Sequence, residues 1–153
     1  MEIPVNFLTY QSNLRIKKSK GVRYIFCTIR RKFLVIQPEE IVRQLVLEYL
    51  IENLKYKRNH IQVERGLNVN GLKRRADIIV FNADISPFLL VECKAPTVNI
   101  NQKAFEQIAN YNLTLKVNYL LVTNGIQTYC CSMNYREKTY QFLDEIPMLK
   151  ERK

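Results

Sequence analysis

Histidine is almost missing from this chain: His60 is the only one in 153 residues. That scarcity argues against a zinc site and against triads that depend on a histidine base. The four cysteines, Cys27, Cys93, Cys130 and Cys131, show no CxxC spacing, and the adjacent pair cannot readily bridge to itself, so they are read as reduced thiols. No apolar run approaches the roughly 20 residues of a spanning helix, and Met1-Glu2-Ile3-Pro4 lacks the basic and apolar regions of a signal peptide. The expectation is a cytoplasmic protein with no membrane partner. With only 4 Gly and 5 Pro beside 47% hydrophobic and 25% charged residues, a disordered or collagenous chain is excluded. The length suits one domain, spanning 1–153, and leaves no room for a motor beside it.

Positive charge is plentiful. Lys and Arg number 24 against 14 Asp and Glu, a net +10 that favours polyanions, nucleic acid before anionic membrane. Nucleotide-binding loops are not present. Gly66 to Lys73 has the glycine spacing of a phosphate loop, but Leu72 separates the second glycine from the lysine and Arg74 replaces the Ser or Thr, so it reads as a hairpin turn. No GxGxxG opens a helix, which leaves dinucleotide binding without support.

The first 35 residues read as a basic extension whose short apolar pieces can pair as a hairpin. Gln37-Pro38-Glu39-Glu40 starts a helix running to about Lys55, with proline in the first turn and carboxylates at the positive end of the dipole. Val42, Leu45, Val46, Tyr49, Leu50 and Leu54 form its apolar arc, and Glu39 and Arg43 fall within that arc at 100° per residue. Three strand-like runs follow, His60–Val69, Arg75–Asn82 and Phe88–Lys94, separated by Asn70-Gly71 and Asn82-Ala83-Asp84. A helix over about Gln102–Val117, a strand at Tyr119–Thr123 and a hairpin partner at Thr128–Cys131 complete an αβββαβ order. The expected fold is α/β (α+β), a mixed central sheet flanked by helices with its core at about residues 36–133.

The chemistry concentrates in Val91-Glu92-Cys93-Lys94, where i and i+2 share a strand face and a carboxylate emerges beside an ammonium. Asp77, at the entry of the preceding strand, can meet Glu92 across a hairpin. Asp77, Glu92 and the Cys93 backbone carbonyl then offer hard oxygen ligands suited to Mg²⁺ or Mn²⁺, and Lys94 can orient a water or stabilise charge on a phosphate. That is phosphodiester hydrolysis without histidine. Glu64, in the first strand of the meander, is read more readily as an ion-pair partner than as part of this site.

From Arg30 to Cys131 the chain resembles the PD-(D/E)XK nuclease superfamily, and within it the N-terminal nuclease domain of type I restriction enzyme R subunits. The resemblance rests on Pro38 to Arg43, Arg75-Ala76-Asp77, Val91-Glu92-Cys93-Lys94, Gln107-Ile108-Ala109-Asn110-Tyr111 and Thr123-Asn124-Gly125 in that order. It implies a restriction-endonuclease-like fold and metal-dependent DNA cleavage, with Asp77, Glu92 and Lys94 as the D…ExK set and Gln107 with Tyr111 as its QxxxY element. Ala76 stands where the superfamily name has proline. Glu39 is the expected first-helix carboxylate near the metal, with Glu40 as its rival. Lys73, Arg74 and Arg75, with Arg30, Arg31 and Lys32, are expected to contact nucleic acid, and Lys17, Lys18 and Lys20 can extend that surface. Such a domain, lacking a motor, is expected to act with a separate motor or specificity subunit or as a homodimer. The alternative is a nucleic-acid-binding module of the same fold that does not cleave.

Overall fold

A computed structural model describes residues 2–69, 72–113 and 116–149, with side chains throughout except at 65–69, 72–75 and 111. The chain folds as α+β around a six-stranded mixed sheet, joined by a separate three-stranded sheet. Strands β1 (Ile16–Ser19), β2 (Val22–Cys27) and β3 (Lys32–Val35) form the smaller, antiparallel sheet. Its first turn has two residues, Lys20 and Gly21, with φ of 50° and 78°. Positive φ at both positions gives the turn a twist that matches paired strands, and glycine adopts it without steric cost.

Helix α1 (Pro38–Glu48) starts with proline and carries Glu39 and Glu40 in its first turn, as the dipole favours. The helix expected to reach Lys55 instead passes into a π turn at Tyr49–Asn53. Strands β4 (Ile61–Val69), β5 (Leu72–Phe81) and β6 (Pro87–Cys93) form the expected antiparallel meander. Val69 pairs with Leu72, so the glycine-spaced stretch joins two strands rather than opening a helix; Asn70 and Gly71 themselves lie outside the described residues. Helix α2 (Gln102–Asn112) is capped by the Asn101 side chain, which accepts the Ala104 N–H at 2.8 Å. It carries the chain across to β7 (Tyr119–Thr123), which pairs parallel to β6.

Strand β8 (Thr128–Asn134) and then β9 (Thr139–Phe142) extend the sheet antiparallel, giving the order β4-β5-β6-β7-β8-β9. The core therefore reaches beyond residues 36–133: β9 adds an edge strand, and Ile3, Phe7 and Ile146 are buried with the α1 side chains.

Alternate side chains of the sheet fill two cores. Val80, Leu89, Val91, Leu121 and Cys130 pack with Val42, Leu45 and Val46 of α1. Ile79, Leu90, Leu120, Val122 and Cys131 pack with Phe105 and Ala109 of α2. The two helices thus cover opposite faces, which is why β6 and β7 are apolar at nearly every position.

Candidate active site

The alternation breaks at Asp77. Ala76 and Ile79 pack on the α2 side and Ile78 and Val80 on the α1 side, so strict alternation fails between Ala76 and Ile78. Across the ladder, β4 pairs Val63 with Ile78 and Arg65 with Ala76 but leaves Glu64 and Asp77 unpaired between them. Glu64 has φ of 49°, a left-handed conformation that costs a residue with a side chain about 1–3 kcal/mol. The irregularity frees both carboxylates from the regular pleat and turns them towards α1.

There they meet Arg43, which is only 5% exposed. Its Nη1 donates to Glu64 Oε1 at 2.9 Å and to Glu40 Oε2, and its Nη2 donates to Asp77 Oδ1 at 3.2 Å. Burial works against the Arg43 charge, but Glu40, Asp77 and Glu64 outweigh it and hold its pKa above the ordinary arginine value. The second oxygen of Asp77 accepts the Cys93 N–H at 2.7 Å, which ties β5 to the end of β6. Gln44 Nε2 donates to Glu40 Oε1 at 2.9 Å, and Arg30, in the turn between β2 and β3, pairs with Glu64. Among the described residues, three carboxylates of this cluster, Glu40, Glu64 and Asp77, share the guanidinium groups of Arg43 and Arg30.

The first-helix carboxylate in the cluster is Glu40 and not Glu39. Glu39 is exposed, whereas Glu40 is 7% exposed and lies one helical turn before Arg43. The apolar arc pointed to Glu39, but the buried face of α1 is wider than that arc. The turn after β2 covers a second side of the helix, with the Thr28 N–H 3.4 Å from Gln44 Oε1. Glu40, Arg43, Gln44 and Leu47 follow the i, i+3, i+4, i+7 spacing of that second side, and this is the signal that could have identified Glu40. Glu64 is likewise a member of the cluster, not merely a cross-strand partner.

Glu92 follows Val91, which pairs with Ile78, so Asp77 and Glu92 are the residues next beyond that pair at one end of the β5–β6 ladder. Their side chains are engaged from different layers. Asn112 Nδ2 of α2 lies 3.4 Å from Glu92 Oε1 and donates to Ile108 O at 2.8 Å, while Asp77 is held from α1. Among the described residues no group of three or more His, Cys, Asp or Glu side chains forms a ready metal cage. Lys94 is half-buried, its N–H donates to Thr123 O at 2.8 Å, and among the described residues its ammonium makes no ion pair.

Gln107 is exposed on α2. The side chains of Tyr111, Lys73, Arg74 and Arg75 lie outside the described residues. Arg31 and Lys32 are exposed, while Arg30 is half-buried against Glu64. Asn112 was not singled out in the sequence, where it lies within a helix expected over about Gln102–Val117 and carries no motif.

A mixed sheet between two helices, with acidic side chains and one unpaired lysine at the end of its central hairpin, is compatible with a restriction-endonuclease-like core. Residues 38–147 match the family described as Type I restriction enzyme R protein N terminus. The match covers well over half of the chain, and the protein belongs to that family. Among curated proteins none matches it.

Proposed function

We propose that this chain is a divalent-metal-dependent endonuclease domain acting on DNA. The observation that carries the reading is that Asp77 and Glu92 are the residues next beyond the Ile78–Val91 pair at one end of the β5–β6 ladder, with Lys94, which makes no ion pair among the described residues, two residues further on, in a chain of the restriction R protein family. The donors suit a hard cation, because carboxylates and the Cys93 carbonyl offer oxygen only, and the buried Arg43 among Glu40, Glu64 and Asp77 marks a place that holds positive charge. In this reading Asp77, Glu92 and the Cys93 carbonyl hold Mg²⁺ or Mn²⁺, which would supply an activated water and a polarised phosphate.

The protein's own groups do the rest. Arg43 and the Cys93 N–H fix the Asp77 carboxylate on both oxygens, so it is oriented before any ligand arrives. Lys94, which pairs with no carboxylate among the described residues, presents its ammonium to the phosphate oxygens as negative charge builds there. Asn112 positions Glu92 from α2, the helix that also carries Gln107 and Tyr111. The family also supports DNA as partner and assembly with other subunits of a restriction system, and a pair of copies would allow both strands of a duplex to be cut.

Nicking of supercoiled plasmid in Mg²⁺ or Mn²⁺ tests the reading. Wild type should convert the plasmid, and Asp77→Ala and Lys94→Ala should each lower the rate about 100-fold or more. Conversion at the wild-type rate by both variants would remove the proposed site. Tight, salt-dependent DNA binding with no conversion in any metal would identify a binding module instead.

A further inference from the structure

We propose that the outward face of the β1–β2–β3 sheet is a docking platform for single-stranded nucleic acid, leading into the carboxylate cluster. Its residues precede the family match, which begins at residue 38, so the match assigns them no role. No Asp or Glu occurs between Glu2 and Glu39, and eight Lys and Arg lie between Arg15 and Lys32. Most of the chain's excess charge therefore sits on this one small sheet. Among the described residues, Arg30 is the only one of those eight cations that pairs with a carboxylate.

The sheet's two faces differ. Ile25 and Cys27 are fully buried, while their neighbours Tyr24 and Phe26 point the other way and remain half-buried with Phe33. Register places Lys17 beside Tyr24 and Tyr24 beside Val35, with Phe26 beside Phe33 in the adjoining row. Val35 is 51% exposed at the edge of this face. The Arg15 guanidinium lies 4.3 Å from the Phe26 ring centre, and Lys17 Nζ lies 4.1 Å from that of Phe33. An ordinary solvated hairpin would extend these cations into water. Here they rest on half-buried rings of the outward face, so charge and flat apolar surface occupy the same patch.

A polyanion that also carries flat apolar groups matches both properties. Duplex DNA offers phosphates but keeps its base faces stacked inside, so it would leave Tyr24, Phe26 and Phe33 without partners. A single strand offers both, phosphates to the cations and bases to the rings. The inner end of the platform meets the site: Arg30 pairs with Glu64, and a cleft of 240 Å³ whose lining includes Arg15, Phe26, Thr28, Gln44, Arg58 and one carboxylate, Glu48, opens beside Gln44, which binds Glu40. Thr28 lines that cleft, and its hydroxyl is buried without a hydrogen-bond partner among the described residues.

The inference deepens the nuclease reading, but binding alone tests it. Fluorescence anisotropy would follow the full chain, in EDTA and at several salt concentrations, on a labelled oligo-dT of about 15 nucleotides and on a duplex of the same length. Tyr24→Ala combined with Phe33→Ala should weaken single-strand binding about ten-fold or more while changing duplex binding less than about three-fold. Tyr24→Phe should retain single-strand binding, and Val35→Glu, a change at an exposed position that guards against misfolding of the double variant, should weaken it. Asp77→Asn should bind the oligonucleotide like wild type even where cleavage is lost, which separates this inference from the catalytic one. Wild-type binding by both the double aromatic variant and Val35→Glu would overturn the platform, as would equal losses on duplex and single strand.

Discussion

Arg43 Nη2 lies 3.2 Å from Asp77 Oδ1, and the other oxygen of the same carboxylate accepts the Cys93 N–H at 2.7 Å. One arginine of the first helix thus fixes the acidic side chain that the sequence singles out on the second strand of the meander. The guanidinium also holds Glu40 and Glu64, so it neutralises a group of acids that would otherwise repel one another.

Removing that cation should be costly. Arg43→Met leaves three carboxylates around an apolar side chain and should lower unfolding free energy by about 3 kcal/mol, read from urea denaturation. Because the site still attracts positive charge, Mn²⁺ should restore part of the loss. An unchanged midpoint would show that the cluster contributes little to folding.

The two glutamates of the first turn should behave differently. Glu39→Gln, at an exposed position, should change stability by no more than about 0.5 kcal/mol. Glu40→Gln removes a charge that is buried against Arg43 and bonded to Gln44, and should cost about 2 kcal/mol. Thermal melts of the two variants side by side check the assignment.

The difference shows where sequence reasoning reached and where it stopped. The strands were legible because β6 and β7 are apolar at nearly every position, and hairpin register brought Asp77 and Glu92 to the same end of the β5–β6 ladder, whereas their partners on opposite layers, Arg43 and Asn112, are tertiary facts. Glu40 was ranked below Glu39 because an apolar arc reports contact with one layer, whereas α1 is also covered by the turn after β2, whose contact with Gln44 is a tertiary fact. The irregularity at Glu64 was hidden for a different reason. A positive φ in a residue with a side chain is imposed by its surroundings, and no local preference announces it. Strand β9 escaped notice because Thr139–Phe142 is short and only alternately shielded, an edge strand without an apolar run.

The four thiols are buried and form no disulfide, and the protons of Cys93, Cys130 and Cys131 should be hard to remove. Burial, with Asp77 adding, holds Cys93 well above its ordinary value of 9.0, and burial pushes Cys131 up to about 12 and raises Cys130 too. Below pH 9 these thiols are neutral in both folded and unfolded chains, and stability is full. As pH rises past that value the unfolded chain releases protons that the folded one keeps, so unfolding is favoured. The melting temperature should fall as pH rises from about 9 towards about 12, and a thiol reagent at about pH 8 should label these three cysteines only after denaturation. Rapid labelling of native Cys93 would contradict its burial.

Lys94 should separate binding from chemistry. Lys94→Met removes no ion pair among the described residues, so the variant should fold and bind Mn²⁺ like wild type while plasmid nicking falls about 100-fold or more. A loss of metal binding in this variant would assign the lysine to the integrity of the site and not to the phosphate.

Calorimetric titration of Mn²⁺ into the wild-type chain and into Asp77→Asn, each with and without a short DNA duplex, tests the central claim most directly. The metal-site account predicts binding by wild type, strengthened by the duplex, and its disappearance in Asp77→Asn with the fold intact. Equal heats from the two proteins would contradict it, placing any bound metal elsewhere and leaving Asp77 as an internal partner of Arg43.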